Sequence, residues 1–292
     1  MPVTYTPHSL YFAAIFDSTM KLREGRLDGI PVSLNTQEEV LADIEARIDQ
    51  RKPGGSISIT NTESMYHAQR NAAHMDYVQG ADHSLCDGVG VIAAGWFWGL
   101  KVKRYNGPIL QLNCTDRGRA KGWRHFYFGG KEGVADLMAD KLRQAYPGLQ
   151  VVGTFCPPFR PMTAEEDAEL VASINAAKPD FVWVGLGLLK QERWIAEHLG
   201  RIDAPWMVGV GGAFDYHSGA IPWAPAPLRA LGLEWLFRLI LQPKLRAKRY
   251  WWSFVFVAQV ALRGVAGLRF LRPQISLREP KSSSPQTLKE PT

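Results

Sequence analysis

Asp87 is the residue whose type and setting best suit proton transfer. It follows the short apolar run His83-Ser84-Leu85-Cys86 and precedes Gly88-Val89-Gly90, where a helix can start. A carboxylate there can take a proton from a hydroxyl nucleophile. It can equally cap the helix, a role Asp fills well, and spacing alone leaves both readings open. Other polar residues gather where strands are expected to end: Asn61, Gly129-Gly130-Lys131, Gly187 with Lys190-Gln191-Glu192, and Gly211-Gly212 with Asp215. Parallel sheets bind ligands at such carboxyl ends. Glycine beside a helix start lets backbone N–H groups approach a phosphate, which points to a nucleotide or nucleotide-sugar. The same glycines also suit tight turns between strand and helix, so that alternative stands beside the first.

Several chemistries lack their signature. Gly88-x-Gly90-x4-Gly95 has a second interval too long for the dinucleotide fingerprint, which weighs against a nicotinamide-dependent oxidoreductase, the second function considered. No G-x-x-x-x-G-K-[ST] loop, no D-x-D metal–diphosphate clamp and no G-x-S-x-G elbow occurs. The seven histidines show no metal-ligand spacing, and no metal or cofactor is expected. Cys86, Cys114 and Cys156 are far apart and form no C-x-x-C pair, which suits a reducing compartment.

The elements that must position these residues alternate in type. Asn35 or Thr36 opens a helix running to Ile48, and a strand is expected at Ser56–Thr60. One helix is expected from Glu63 to Tyr77, then a short strand at His83–Cys86 and an apolar helix at Val89–Trp98. Strands at Trp123–Phe128, Leu149–Gly153, Phe181–Leu186 and Trp206–Val210 alternate with helices at Val134–Ala145, Ala164–Ala177 and Glu192–Leu199. This alternation predicts an α/β fold with a mostly parallel sheet and helices on both faces. An amphipathic helix is expected at Leu228–Leu241.

Length and composition set the frame. The chain has 292 residues, with 46% hydrophobic and 21% charged, which rules out collagen-like and wholly disordered classes. Thirty-four Lys and Arg against 28 Asp and Glu give a net charge of +6, so an anionic partner is expected. The charge is concentrated late: Arg238, Lys244, Arg246, Lys248, Arg249, Arg263, Arg269 and Arg272 lie in residues 238–272, which hold no acid. Trp251, Trp252, Phe254 and Phe256 are interleaved with them, a pattern suited to an anionic membrane surface. A helix pair packed on the domain is the plainer alternative. Nucleic acid is not expected, because no recognised binding module accompanies the charge. The apolar run Tyr250–Leu262 is short for a membrane span, and the chain start lacks a secretory signal pattern. The organisation expected is an N-terminal extension over 1–28, an α/β domain over 29–242, a basic–aromatic helical appendage over 243–272 and a disordered tail over 273–292.

Taken together, the motifs resemble the WecG/TagA/CpsF family of bacterial glycosyltransferases, glycosyltransferase family 26. The resemblance runs from about Gly29 to Arg246 and rests on Phe126–Gly133 (FYFGGKEG), Tyr146–Gly153 (YPGLQVVG), Lys178–Glu192 (KPDFVWVGLGLLKQE), Val208–Asp215 (VGVGGAFD) and Gly232–Leu239 (GLEWLFRL). It implies a Rossmann-like, inverting, metal-independent transferase. Such an enzyme moves a sugar from a UDP-sugar to a polyprenyl-diphosphate-linked saccharide at the cytoplasmic face of the inner membrane, in exopolysaccharide, capsule or teichoic acid synthesis. Asp87 then falls on the family's base in its DG motif, followed by Gly88. Asn61 and Arg104 fall on conserved-type polar positions, and Gln191 of Lys190-Gln191-Glu192 on a ligand contact. The C-terminal cations Arg238, Arg246, Lys248 and Arg249, with Trp251 and Trp252, resemble an appendage that docks on the membrane and closes over the lipid diphosphate. The sequence departs from the family pattern at Ile59, with Thr60 beside it, at Ile109, at Leu189 in place of Pro and at Trp223 in place of Arg. Donor and acceptor identity therefore does not carry over. A non-catalytic membrane-bound scaffold is the third function considered, and homo-oligomerisation is left open.

Overall fold

The computed structural model describes residues 22–270 and 272–278, without the side chains of Leu245, Lys248, Arg249 and Trp252. It opens with a hairpin, β1 (Leu22–Leu27) and β2 (Ile30–Ser33), joined by Asp28-Gly29. Both turn residues have positive φ, 51° and 84°, as a two-residue turn matched to strand twist requires. The hairpin straddles the expected boundary between residues 28 and 29. Leu27 and Ile30 are fully buried, so the segment is part of the packed structure.

The expected alternation follows. Thr36 and Glu39 form a reciprocal capping box that starts α1 (Gln37–Asp49). Next come β3 (Gly55–Thr60), α2 (Thr62–Ala68) and α3 (Ala72–Gly80). The single helix expected over Glu63–Tyr77 is thus two helices, because Asn71 caps a new start by accepting the His74 N–H at 3.1 Å. Then follow β4 (His83–Cys86), α4 (Val89–Phe97) and α5 (Gly107–Arg119), the last unanticipated. The run continues through β5 (Arg124–Gly129), α6 (Val134–Ala145), β6 (Gln150–Phe155), α7 (Ala164–Ala176), β7 (Phe181–Gly185), α8 (Lys190–His198), β8 (Trp206–Gly209) and α9 (Ala213–Ser218). Gly232, at φ +72°, splits the expected Leu228–Leu241 helix into α10 (Ala226–Ala230) and α11 (Glu234–Leu241). A long helix α12 (Pro243–Ala266) and a strand β9 (Ile275–Arg278) complete the described chain.

The main sheet is six-stranded, with order β4-β3-β8-β7-β5-β6 and every pairing parallel. All its carboxyl ends therefore lie along one edge. Period-two alternation sends side chains to two cores. Phe126, Phe128, Val182, Val184 and Met207 pack with α2, α3, α4, α7 and α8. Tyr127, Phe181, Trp183, Trp206 and Val208 pack with α1, α5, α6 and α9. The helix after β3 thus lies on one face and the helix after its neighbour β8 on the other. That switch opens a crevice at their carboxyl ends.

The C-terminal part packs on the first of these faces. Trp98 Nε1 donates to the Val260 carbonyl of α12 at 2.9 Å, and Gly264 lets α12 approach the Trp98 ring. Asp28 in the hairpin turn accepts both Arg263 of α12 (2.5 Å) and Gln69 (2.6 Å). β9 then pairs antiparallel with β1, giving a second sheet of order β2-β1-β9. The strand corrects the tail expected from residue 273: Ile275–Arg278 gains ladder hydrogen bonds that its composition did not suggest. The rest of the expected tail, and residues 1–21, lie outside the described residues. Ending the chain at Arg272 should speed amide hydrogen exchange in Leu22–Leu27 and in the last turns of α12, and leave the six-stranded sheet protected. Unchanged exchange in β1 would show that β9 does not hold it.

Candidate active site

Asp87 sits at the carboxyl end of β4, with its N–H bonded to the Thr60 carbonyl at 3.0 Å. The cap position of α4 belongs to Gly88, which makes no side-chain cap bond. The capping alternative for Asp87 therefore fails. Its carboxylate is half-buried and has no hydrogen-bond or ion-pair partner among the described residues. Gly88 has open space beside it. Asn61 ends β3 and caps α2, its Oδ1 accepting the N–H groups of Glu63 (3.0 Å) and Ser64 (2.9 Å), which leaves its amide NH2 free of that role. The Thr60 hydroxyl turns inward to Ser84 (2.7 Å) and Ser58 (3.3 Å) and is fully buried.

Arg104 spans three segments. Its Nε donates to the Asp87 carbonyl and its Nη1 to the Arg229 carbonyl, both at 2.9 Å, and it pairs with Glu234 of α11. Glu234, 4% exposed, also accepts Trp223 Nε1 at 2.8 Å and Asn106 Nδ2 at 3.3 Å. Arg104 thus fixes the Asp87 turn to α10 and α11. At the position where the family pattern has Arg, the Trp223 indole is a neutral donor to the same carboxylate. The Arg229 guanidinium lies 3.9 Å over the Trp223 ring, its Nε is buried without a partner, and burial with nearby Arg104 holds its pKa below the ordinary value.

The other carboxyl ends carry glycine for steric reasons. Gly129 (φ +114°) lies against Gly185, where a Cβ would meet backbone atoms at 2.8 Å. The Gly130 N–H bonds the Gly185 carbonyl at 3.0 Å. Gly187 faces open space at φ +82°. Leu189 opens α8 at φ +71°, a value no proline ring can take, so the backbone here departs from one built on Pro. Gln191 is 5% exposed and used at both ends: Oε1 accepts the Gly211 N–H at 2.9 Å, and Nε2 donates to Glu192 at 2.8 Å. It holds the β8 turn. Lys190 is exposed beside Phe159. Asp215 is half-buried; burial raises its pKa and Lys131 draws it back down.

The appendage supplies cations. Arg238 lies 4.9 Å over the Tyr216 ring, and Arg246 Nε donates to Gln242 at 3.3 Å. Neither has a carboxylate partner among the described residues. Both lie within electrostatic reach of the Tyr216 hydroxyl, as does Asp87. The carboxyl ends of β4, β3 and β8 thus place Asp87 with Gly88, Asn61, and Gly211 with Gly212 side by side along one edge, with Arg238 over Tyr216 beside the last and Gly187 one strand further on. Thr60 is turned away from it. Lys248, Arg249 and Trp252 have side chains outside the described residues, and Trp251 is exposed on the outer face of α12. Sequence reasoning missed Tyr216, Arg229 and Glu234. Their only signal was position: Tyr216 follows Asp215, and Glu234 lies inside the GLEWLFRL motif.

A parallel six-stranded sheet flanked by helices, with an unpaired carboxylate and glycine turns at its carboxyl edge, defines an α/β scaffold with a ligand crevice at the strand ends. The model of the Glycosyl transferase WecG/TagA/CpsF family matches residues 26–269, and the chain belongs to that family; it is a glycosyltransferase. It is 29% identical over 197 residues to an N-acetylglucosaminyldiphosphoundecaprenol N-acetyl-beta-D-mannosaminyltransferase of Bacillus spizizenii strain W23, covering 67% of this chain and 74% of the relative. It is 26% identical over 220 residues to the Staphylococcus aureus (strain NCTC 8325) protein of the same name, covering 74% of this chain and 84% of the relative.

The Glu192 carboxyl, 3% exposed and with Oε2 unpartnered, is pushed above the usual range by burial. An acid with a raised folded pKa contributes stability that is complete below its unfolded pKa and is lost as pH rises through the folded one. Glu192→Gln should therefore raise Tm relative to the parent at pH 7, with the gain vanishing near about pH 4. Thermal unfolding at both pH values checks this; a gain equal at the two would contradict the burial argument.

Proposed function

We propose that this chain transfers a sugar, with inversion, from a UDP-sugar to a polyprenyl-diphosphate-linked saccharide in bacterial surface-polysaccharide synthesis. The observation that carries the reading is the Asp87 carboxylate at the carboxyl end of β4, without a hydrogen-bond or ion-pair partner among the described residues, while Arg238, over the Tyr216 ring at the next crevice wall, has no carboxylate partner either. Adjacent strands lie about 4.8 Å apart, so the four steps from β4 to β5 span roughly 19 Å of carboxyl edge. An extended nucleoside-diphosphate sugar fits that span, with its sugar toward Asp87 and its nucleoside toward Gly130 and Asp215. Asp87 takes the proton of the acceptor hydroxyl as its oxygen bonds the anomeric carbon. The bond from that carbon to the β-phosphate oxygen breaks, and UDP leaves with the electron pair. The developing charge falls to backbone N–H groups of the glycine turns and to Arg238 and Arg246. The relatives' names specify a sugar-diphosphoundecaprenol acceptor for those proteins, and the same acceptor class is the one proposed here.

A dinucleotide-binding reading loses support from the glycines it would need. Gly90 is packed by Thr62 and Val257, and Gly95 by Val102, so these positions serve helix packing. Asp87→Asn should lower transfer about 10²- to 10⁴-fold and leave UDP binding intact. Parental turnover in that variant would remove Asp87 from the base role.

The proposed site of action is the cytoplasmic face of the inner membrane, held peripherally. No described helix is long and apolar enough to cross a membrane. Of the large apolar side chains left exposed among the described residues, all but Leu137 and Phe159 lie on α4 or between Leu231 and Leu277. Trp251, Phe254, Leu262 and Val265 form one outward stripe on α12 at intervals of three, eight and three residues. This apolar face, set among arginines and lysines without acids, suits anionic lipid. Replacing Trp251 and Phe254 by Ser should abolish co-sedimentation with phosphatidylglycerol vesicles at low salt. Undiminished co-sedimentation would refute the docking face.

A further inference from the structure

We propose that Tyr216 is a further catalytic residue, whose phenol O–H donates a hydrogen bond to the β-phosphate of the departing nucleoside diphosphate. The inference rests on the transferase reading above and adds a donor that neither the motifs nor the family match assigns. Three observations place it. Tyr216 lies on α9 just after the β8 turn, and its hydroxyl reaches back over that turn: a Cβ at Gly212 would meet its Oη at 3.4 Å. Its ring is held from two sides, by Trp223 at 6.1 Å and 12° and by the Arg238 guanidinium at 4.9 Å. Arg238, Arg246 and Asp87 all act electrostatically on the hydroxyl.

The Tyr216 hydroxyl makes no hydrogen bond among the described residues, yet it is not sealed among the buried unpartnered atoms. A phenol hydroxyl without a partner among the described residues, on a ring covered by the Arg238 guanidinium at 4.9 Å, is a donor suited to an anionic acceptor. Burial raises its pKa, so the proton stays on oxygen. During transfer the bond from the anomeric carbon to the β-phosphate oxygen breaks, and the electron pair goes to that oxygen. Asp87 holds the acceptor's proton, and Tyr216 keeps its own while donating a hydrogen bond to the phosphate. The donor is preorganised by the Trp223 stack, so it needs no reorganisation as charge develops.

The test compares UDP with UMP, which differ by the β-phosphate alone, on the full chain and its Tyr216→Phe variant by calorimetry. Parental protein should bind UDP, and the variant should bind it about tenfold more weakly, as expected for a charge-assisted hydrogen bond. UMP affinity should not change. Equal UDP affinity in the two proteins would overturn the assignment while leaving the transferase reading intact. Equal losses for UMP and UDP would mark Tyr216 as structural and also overturn it. No UDP binding by the parental protein would sink the UDP-sugar reading, and this proposal with it.

Discussion

The buried ion pair between Arg104 and Glu234 is the contact on which the site's assembly depends. Removing a carboxylate from water costs several kcal/mol unless charge and hydrogen bonds replace hydration. Glu234 meets that cost with Arg104, Trp223 Nε1 and Asn106 Nδ2. Arg104 and Asn106 come from the segment between α4 and α5, and Trp223 from the one between α9 and α10. Arg104 also holds the Asp87 carbonyl, Asn106 also caps α5 through its Oδ1, and Trp223 stacks on Tyr216. Moving α11 would therefore strand a buried charge and loosen the turn that carries Asp87. Helices α10 and α11 and the Asp87 turn are thus tied together by the Arg104–Glu234 pair.

A second constraint is steric. β5 and β7 approach so closely at their carboxyl ends that only glycine fits at 129 and 185, the latter also pressed by the Phe214 ring at 2.8 Å from a would-be Cβ. Close approach lets the Gly130 N–H bond the Gly185 carbonyl and fixes the turn after β5. Gln191 fixes the β8 turn by another means: its Oε1 accepts the Gly211 N–H. Its two ends are already used, so its part in the site is to shape the turn. Leu189 at φ +71° lies two residues away, a strained conformation of the kind kept where surrounding packing over-determines it.

The main sheet was legible because its strands alternate or run apolar between glycine-marked ends, and Asp87 was legible because it closes such a strand. The failures have physical reasons. α5 buries Gln111, Thr115 and Gly118 beside Leu110 and Cys114, so it shows no apolar stripe at helical spacing. β9 is four residues long and sits in a Ser-, Pro- and Lys-rich stretch, and only its pairing with β1 makes it a strand. Tyr216, Arg229 and Glu234 take their roles from partners far along the chain, such as Asn106 to Glu234, and no local spacing encodes those encounters. Thr60 shows the converse. It stands at a strand end, yet the pleat turns its hydroxyl into the β3–β4 ladder.

The appendage is anchored by packing of Phe256 and Val260, and its charges are unevenly matched. Residues 238–272 carry basic side chains and no acid. Within the described structure, Asp28 neutralises Arg263 at the far end of α12, while Arg238 and Arg246 at the near end keep no carboxylate. Arg229 adds a desolvated guanidinium beside Arg104. Arg229 and Arg104 are close enough to repel one another, and the half-buried Trp223 beside them screens that repulsion less than water would. Glu234 cannot offset them all, being engaged by Arg104. On the proposed reading, the missing counter-charge comes from two anions on either side of α11 and α12: the diphosphate in the crevice and the lipid headgroups outside.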